Sequence, residues 1–114
     1  MEDIILYTNL FDCYGTLLTL KQQEYFKLYY FDNLTLKEIA ENDNVSRNAI
    51  HKTLKDVIDK LLMYEKELKL LHKKELILNL IEDKKIKEKI EEILSWQTQY
   101  RLYRTKGHNR HELS

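Results

Sequence analysis

The sequence predicts an all-α protein, and three observations carry that prediction. Its 114 residues include no proline and only two glycines, Gly15 and Gly107. A sandwich or barrel needs turn residues at roughly every tenth position, so these counts exclude one. Apolar residues recur at helical spacing along most of the chain. Three hydroxyl residues, Thr19, Thr35 and Ser46, stand where helix N-caps belong.

Thr19-Leu20-Lys21-Gln22 and Thr35-Leu36-Lys37-Glu38 both fit the capping box, in which the hydroxyl takes an N3 amide while Gln or Glu reaches back. Ser46 caps a further helix alone. These starts predict helices over roughly 2–17, 20–31, 36–42 and from 47 onward. Asp32-Asn33 and Asn42-Asp43-Asn44 fill the gaps, since Asn and Asp tolerate left-handed backbone and make their own turn hydrogen bonds.

The first helix carries Leu6, Leu10, Tyr14 and Leu17 on one face, beside Phe11 and Leu18. The second holds Leu20, Tyr25, Phe26, Leu28, Tyr29 and Tyr30, too many apolar residues for one narrow stripe. It is either the most buried helix or one that lends a side to a partner. From Ile50 the apolar positions run 50, 54, 57, 61, 64, 68, 71, a three-heptad seam. That predicts one long helix, about 33 Å from Ile50 to Leu71 at 1.5 Å per residue. Leu76, Ile77, Leu80 and Ile81 predict a short helix, and Ile86, Ile90 and Ile93 another through about Tyr103. The expected domains are therefore residues 1–62, a helical extension over 63–104, and a disordered tail over 105–114.

At about 100–200 residues per domain, the chain is one small domain with an extension. A single cysteine, Cys13, forbids an internal disulfide and points to a reducing, cytoplasmic setting. The apolar runs, such as Leu61-Leu62-Met63-Tyr64, are far too short to insert in a membrane, and Met1-Glu2-Asp3 is no signal-peptide start. The net charge of zero hides an asymmetry: residues 1–60 hold 7 basic and 10 acidic groups, residues 61–114 hold 12 and 9. Any nucleic-acid reading must rest on local placement of charge.

Residues 35–50 supply that placement. A helix-turn-helix needs a small residue where its helices meet, and Ala40 provides one. It needs a positive-φ residue four later, where Asn44 replaces the usual glycine, and apolar locks after the turn, where Val45 and Ile50 stand. With Ile50 and Leu54 inward, Asn48, His51, Lys52 and Lys55 fall opposite the core, with Arg47 beside them in the first turn. Arg and Lys pair with guanine and Asn with adenine in the major groove; His51 and Lys55 are placed for phosphates. A solvated face that serves a scaffold is the competing reading, because Asp56 and Asp59 share the helix.

Chemistry of other kinds has little to stand on. Cys13 has no histidine nearby in sequence and reads as a small hydrophobe. His108-x-x-His111 lacks Cys or acidic partners for a metal, and His72 reads as a surface residue. No glycine-rich loop or nucleophile-base pair appears, so no enzyme, cofactor or metal is expected.

The runs Leu10-Phe11-Asp12-x-Tyr14, Leu17-Leu18-Thr19-x-Lys21-Gln22, Leu28-Tyr29-Tyr30, Leu36-x-Glu38-Ile39-Ala40 and Asn44-Val45-Ser46-Arg47-x-Ala49-Ile50 resemble the YlxM family of small bacterial helix-turn-helix proteins. The likeness covers residues 5–71 well and the remainder only in helical character. Genes of that family commonly neighbour those of the signal recognition particle. The same segment is similar to region four of bacterial sigma factors. The resemblance implies a DNA-binding regulator that takes part in the signal recognition particle pathway. Its alternative is a module that binds the particle's protein or RNA and no DNA. By the sigma likeness the base-facing positions fall on Arg47, Asn48 and Lys52, with His51 and Lys55 near the backbone. Asn48 and Lys52 depart from the usual Glu and Gln, so promoter-element specificity does not carry over. The family's common Gln-Ala-Val-Tyr reads Asn48-Ala49-Ile50-His51 here, which marks a divergent member. The heptad seam needs cover: a homodimer, which would suit paired half-sites, is the expectation, and a monomer whose C-terminal helices fold back to close the seam is its alternative.

Overall fold

The computed structural model describes residues 3–95, and within them every regular element is helical. The described residues divide into two compact units that part after Lys69. The first contains α1 (Ile4–Tyr14), a 3-10 turn (Gly15–Leu17), α2 (Leu20–Phe26), a π-helical turn (Lys27–Phe31), α3 (Leu36–Asp43) and α4 (Arg47–Leu68). The second contains α5 (Leu70–Asn79) and α6 (Lys84–Leu94).

Both capping boxes form. Thr19 Oγ1 accepts from the Gln22 amide at 3.1 Å, and Gln22 Oε1 accepts from the Thr19 amide at 3.0 Å. Thr35 and Glu38 repeat the pair at 3.1 and 3.0 Å. Satisfying two orphan donors at each start fixes where α2 and α3 begin.

The core of the first unit is aromatic at one end and aliphatic at the other. Phe11 and Phe26 stack with ring centroids 4.2 Å apart, and Phe31 meets both rings edge-on at 5.8 Å. This cluster explains the π-helical turn, which the apolar pattern did not signal. In a continuous α-helix residue 31 would lie about 140° around from residue 26. The wider turn, closed by the Asp32 amide bonding to the Lys27 carbonyl at 3.0 Å, brings Phe31 back over Phe26. Gly15 follows from the same packing, because a Cβ there would stand 3.1 Å from the Phe11 ring.

Ile50, Leu54, Val57 and Leu61 of α4 are fully buried. The first four positions of the heptad seam are thus covered from within the domain. Burial then fades, with Tyr64 half-buried and Leu68 45% exposed. Tyr64 and Glu65 still meet Tyr14 of α1, and the helix ends three residues further on. Lys69 turns left-handed (φ 57°), its amide bonding to the Glu65 carbonyl at 2.9 Å. The long helix expected to reach Leu71 stops at Leu68. Leu71 belongs instead to α5, which takes in Leu76 and Ile77 of the short helix expected around 76–81 and ends at Asn79, before Leu80 and Ile81.

In the second unit Asp83 caps α6 by accepting from the Ile86 amide at 3.0 Å, and Lys74 Nζ donates to Ser95 Oγ at 3.3 Å. Ile86 and Ile93 are exposed. The expected course of this helix to Tyr103, the tail over 105–114 and His108-x-x-His111 lie outside the described residues. No described helix is long and apolar enough to cross a membrane.

Candidate nucleic-acid interface

α3 and α4 form the helix-turn-helix, and each part of its geometry has a local cause. Asn44 adopts left-handed backbone (φ 59°, ψ 39°), its amide bonding to the Glu41 carbonyl at 3.4 Å. The Val45 amide bonds to the Ala40 carbonyl at 3.0 Å. Together these close α3 as a Schellman motif with asparagine in the glycine position. Ser46 then starts α4, its hydroxyl accepting from the Ala49 amide at 3.0 Å.

Ala40 is buried in a cluster with Tyr25, Leu36, Ile39, Ile50 and Leu54. A small side chain there lets α3 and α4 approach. Ile50 locks the crossing as expected; Val45 does not. It is 43% exposed, because the Schellman turn spends its amide on α3 and leaves its side chain at the surface.

α2 clasps the far end of α3. The Tyr25 hydroxyl donates to the Asp43 carboxylate, and Lys21 Nζ lies 2.9 Å from the same carboxylate. An acid in the last turn of a helix opposes the helix dipole, so the hydroxyl and the ammonium offset an otherwise unfavourable placement. Tyr25's hydrogen bond, then Lys21's, hold the Asp43 carboxyl below its ordinary range. Sequence reading missed this clasp, since its two ends lie 18 residues apart.

The turn delivers one face of α4 to solvent. Arg47, Asn48, His51, Lys52 and Lys55 are all exposed on its first three turns. None of the five is held by a hydrogen bond or ion pair with another described residue. No acid occurs between Asp43 and Asp56, so every formal charge from the turn to Lys55 is positive. It ends at Lys55, and exposed Asp56 and Asp59 follow.

One further cation joins this face. Lys37, the second residue of α3, lines the same groove as Arg47, the first residue of α4. Its sequence signal was a lysine in the first turn of a capped helix, where the dipole disfavours a cation and helix stability gives no reason for it. Among the described residues no cluster of His, Cys, Asp or Glu could hold a metal.

An all-α architecture with a helix-turn-helix whose second helix exposes a cationic face defines a helix-turn-helix protein. The chain belongs to the UPF0122 family, described as "Putative helix-turn-helix protein, YlxM / p13 like", which it matches over residues 1–101. A UPF0122 protein of Clostridium botulinum is 44% identical over 93 residues, covering 78% of this chain and 84% of that protein. One from Caldanaerobacter subterraneus is 41% identical over 87 residues, covering 76% and 73%. One from Ureaplasma urealyticum is 42% identical over 87 residues, covering 74% and 88%.

Proposed function

We propose that the protein is a non-enzymatic regulator that binds duplex DNA, with the first three turns of α4 in the major groove. The observation that carries this reading is the unengaged face Arg47, Asn48, His51, Lys52 and Lys55, set on a helix whose opposite side is fully buried. A rigid helix with free Arg, Lys and Asn at its start has the donors that base edges accept. Lys37 at the start of α3 adds a phosphate contact, and Lys55 and His51 flank the backbone. The resemblance to the YlxM family supports a place for this regulator in the signal recognition particle pathway, and the single cysteine supports a cytoplasmic setting.

A homodimer that reads paired half-sites belongs to the same reading. The buried seam of α4 no longer argues for it; the exposed Leu76, Leu80 and Ile93 of the second unit do, as apolar surface available to a second copy. Equilibrium sedimentation that stays at 13.9 kDa, the mass of one chain, at every concentration would remove the dimer.

The test of function is a binding panel: duplex DNA, signal recognition particle RNA and the particle's GTPase, each across a salt series. Duplex affinity that falls with salt supports the reading. Absence of duplex affinity at low salt, with binding to the RNA or the GTPase, replaces it with the interaction-module reading.

A further inference from the structure

We propose that the groove between the N-termini of α3 and α4 is a binding site for a small organic anion with a flat, apolar body, of which an aryl carboxylate is the simplest case. The groove encloses about 470 Å³, within the roughly 300–1,000 Å³ range of small-molecule sites. Its wall is built from Ile4, Tyr29, Tyr30 and Leu34, and its charge comes from Lys37 and Arg47.

Charge complementarity selects the ligand's sign. No Asp or Glu lines the groove. Three acids adjoin lining residues in sequence, Asp3, Asp32 and Glu38, and none of them reaches the groove wall. Glu38 is turned onto the Thr35 amide at 3.0 Å, which with the Thr35 hydroxyl holds its carboxyl below the ordinary range. Neither Lys37 nor Arg47 has an acidic partner among the described residues. Both sit at helix starts, where cation and helix dipole have the same sign and their fields add.

The wall selects the ligand's body. Tyr29 and Tyr30 reach the groove from the π-helical turn, a distortion that recurs at functional sites. Their rings meet edge to face at 4.9 Å, and Tyr30 also carries a buried hydroxyl without a hydrogen-bond partner. A bare anion would engage the two cations and leave this aromatic wall bare. A duplex backbone supplies charge and no apolar group of matching size. If the DNA-binding reading holds, Lys37 and Arg47 serve both surfaces, and bound anion and duplex exclude one another.

The experiment is a titration of the full chain followed by backbone amide NMR shifts, at fixed ionic strength, with phenylacetate, phenylacetamide and inorganic phosphate. Phenylacetate is expected to saturate with a Kd of about 0.1–1 mM, moving the amides of Tyr29, Leu34, Lys37 and Arg47. Phenylacetamide and phosphate should each bind about tenfold more weakly, one lacking the charge and the other the body. Lys37→Gln and Arg47→Gln should each weaken phenylacetate about three- to tenfold, while Lys66→Gln, outside the groove, leaves it unchanged. The amide spectrum reports in the same sample that each variant is folded. Three results overturn the proposal: no saturable shift, phosphate binding as tightly as phenylacetate, or Lys66→Gln weakening binding as much as the groove variants do. All three are readable whether or not the protein binds DNA.

Discussion

The buried Tyr14 ring at the end of α1 donates its hydroxyl to the Glu65 carboxylate of α4 at 2.6 Å, across 51 residues of sequence. Its ring also lies 5.8 Å from that of Tyr64. α4 is therefore held at two places, by α3 on the inward side of its exposed first turns and by α1 near its end.

Tyr14→Phe should cost about 1–2 kcal/mol, because it strips a partly buried carboxylate of a charge-assisted hydrogen bond. Glu65→Gln should cost less, since its amide oxygen still accepts. Chemical denaturation of both variants checks the order; a neutral Tyr14→Phe would remove the contact from the account of α4.

Ala40→Leu should destabilise by about 1–3 kcal/mol by overpacking the contact among Ile39, Ile50 and Leu54. A thermal melt without loss would contradict the close crossing of α3 and α4.

At the turn, Asn44→Gly should be nearly neutral and Asn44→Ala should cost about 1 kcal/mol, because only glycine and asparagine enter left-handed backbone readily. Equal costs for the two would mean the Schellman closure is not what sets the turn.

Acid should loosen the α2–α3 clasp. Asp43 and Glu38 both have depressed carboxyl pKa values, Asp43 through Tyr25 and then Lys21, Glu38 through the Thr35 amide and hydroxyl. A group depressed on folding contributes stability above its unfolded pKa and loses it as pH falls through the folded one. Stability should decline below about pH 4, and Asp43→Asn should narrow the difference in melting temperature between neutral and acid solution. An unchanged difference would assign the acid sensitivity elsewhere.

For duplex binding, Arg47→Ala and Lys52→Ala should each weaken the preferred site by about 1–3 kcal/mol. Lys55→Ala should weaken all sequences alike and reduce the salt slope by about one ion. Uniform losses from all three would reduce the face to a backbone contact.

What was legible in the sequence was what short-range chemistry decides. The capping boxes at Thr19 and Thr35, the Ser46 cap, the left-handed asparagines and the inward face of α4 all follow from residues within about four positions of each other. The exposed face came with them, since fixing Ile50 and Leu54 inward fixes its opposite. What was illegible depends on partners far along the chain. The π-helical turn answers Phe11, and the bond from Tyr14 to Glu65 joins residues 51 positions apart. Lys37 and Arg47 share a groove only after the turn folds.

α4 divides its labour by angle. Ile50, Leu54, Val57 and Leu61 point inward, while Arg47, Asn48, His51, Lys52 and Lys55 point out. Surface substitutions away from caps and buried contacts change stability by only about half a kcal/mol, so the outward set is thermodynamically almost free to vary. The scaffold thereby becomes retargetable: a lineage, or a designer, can rewrite what the helix reads without renegotiating whether it folds.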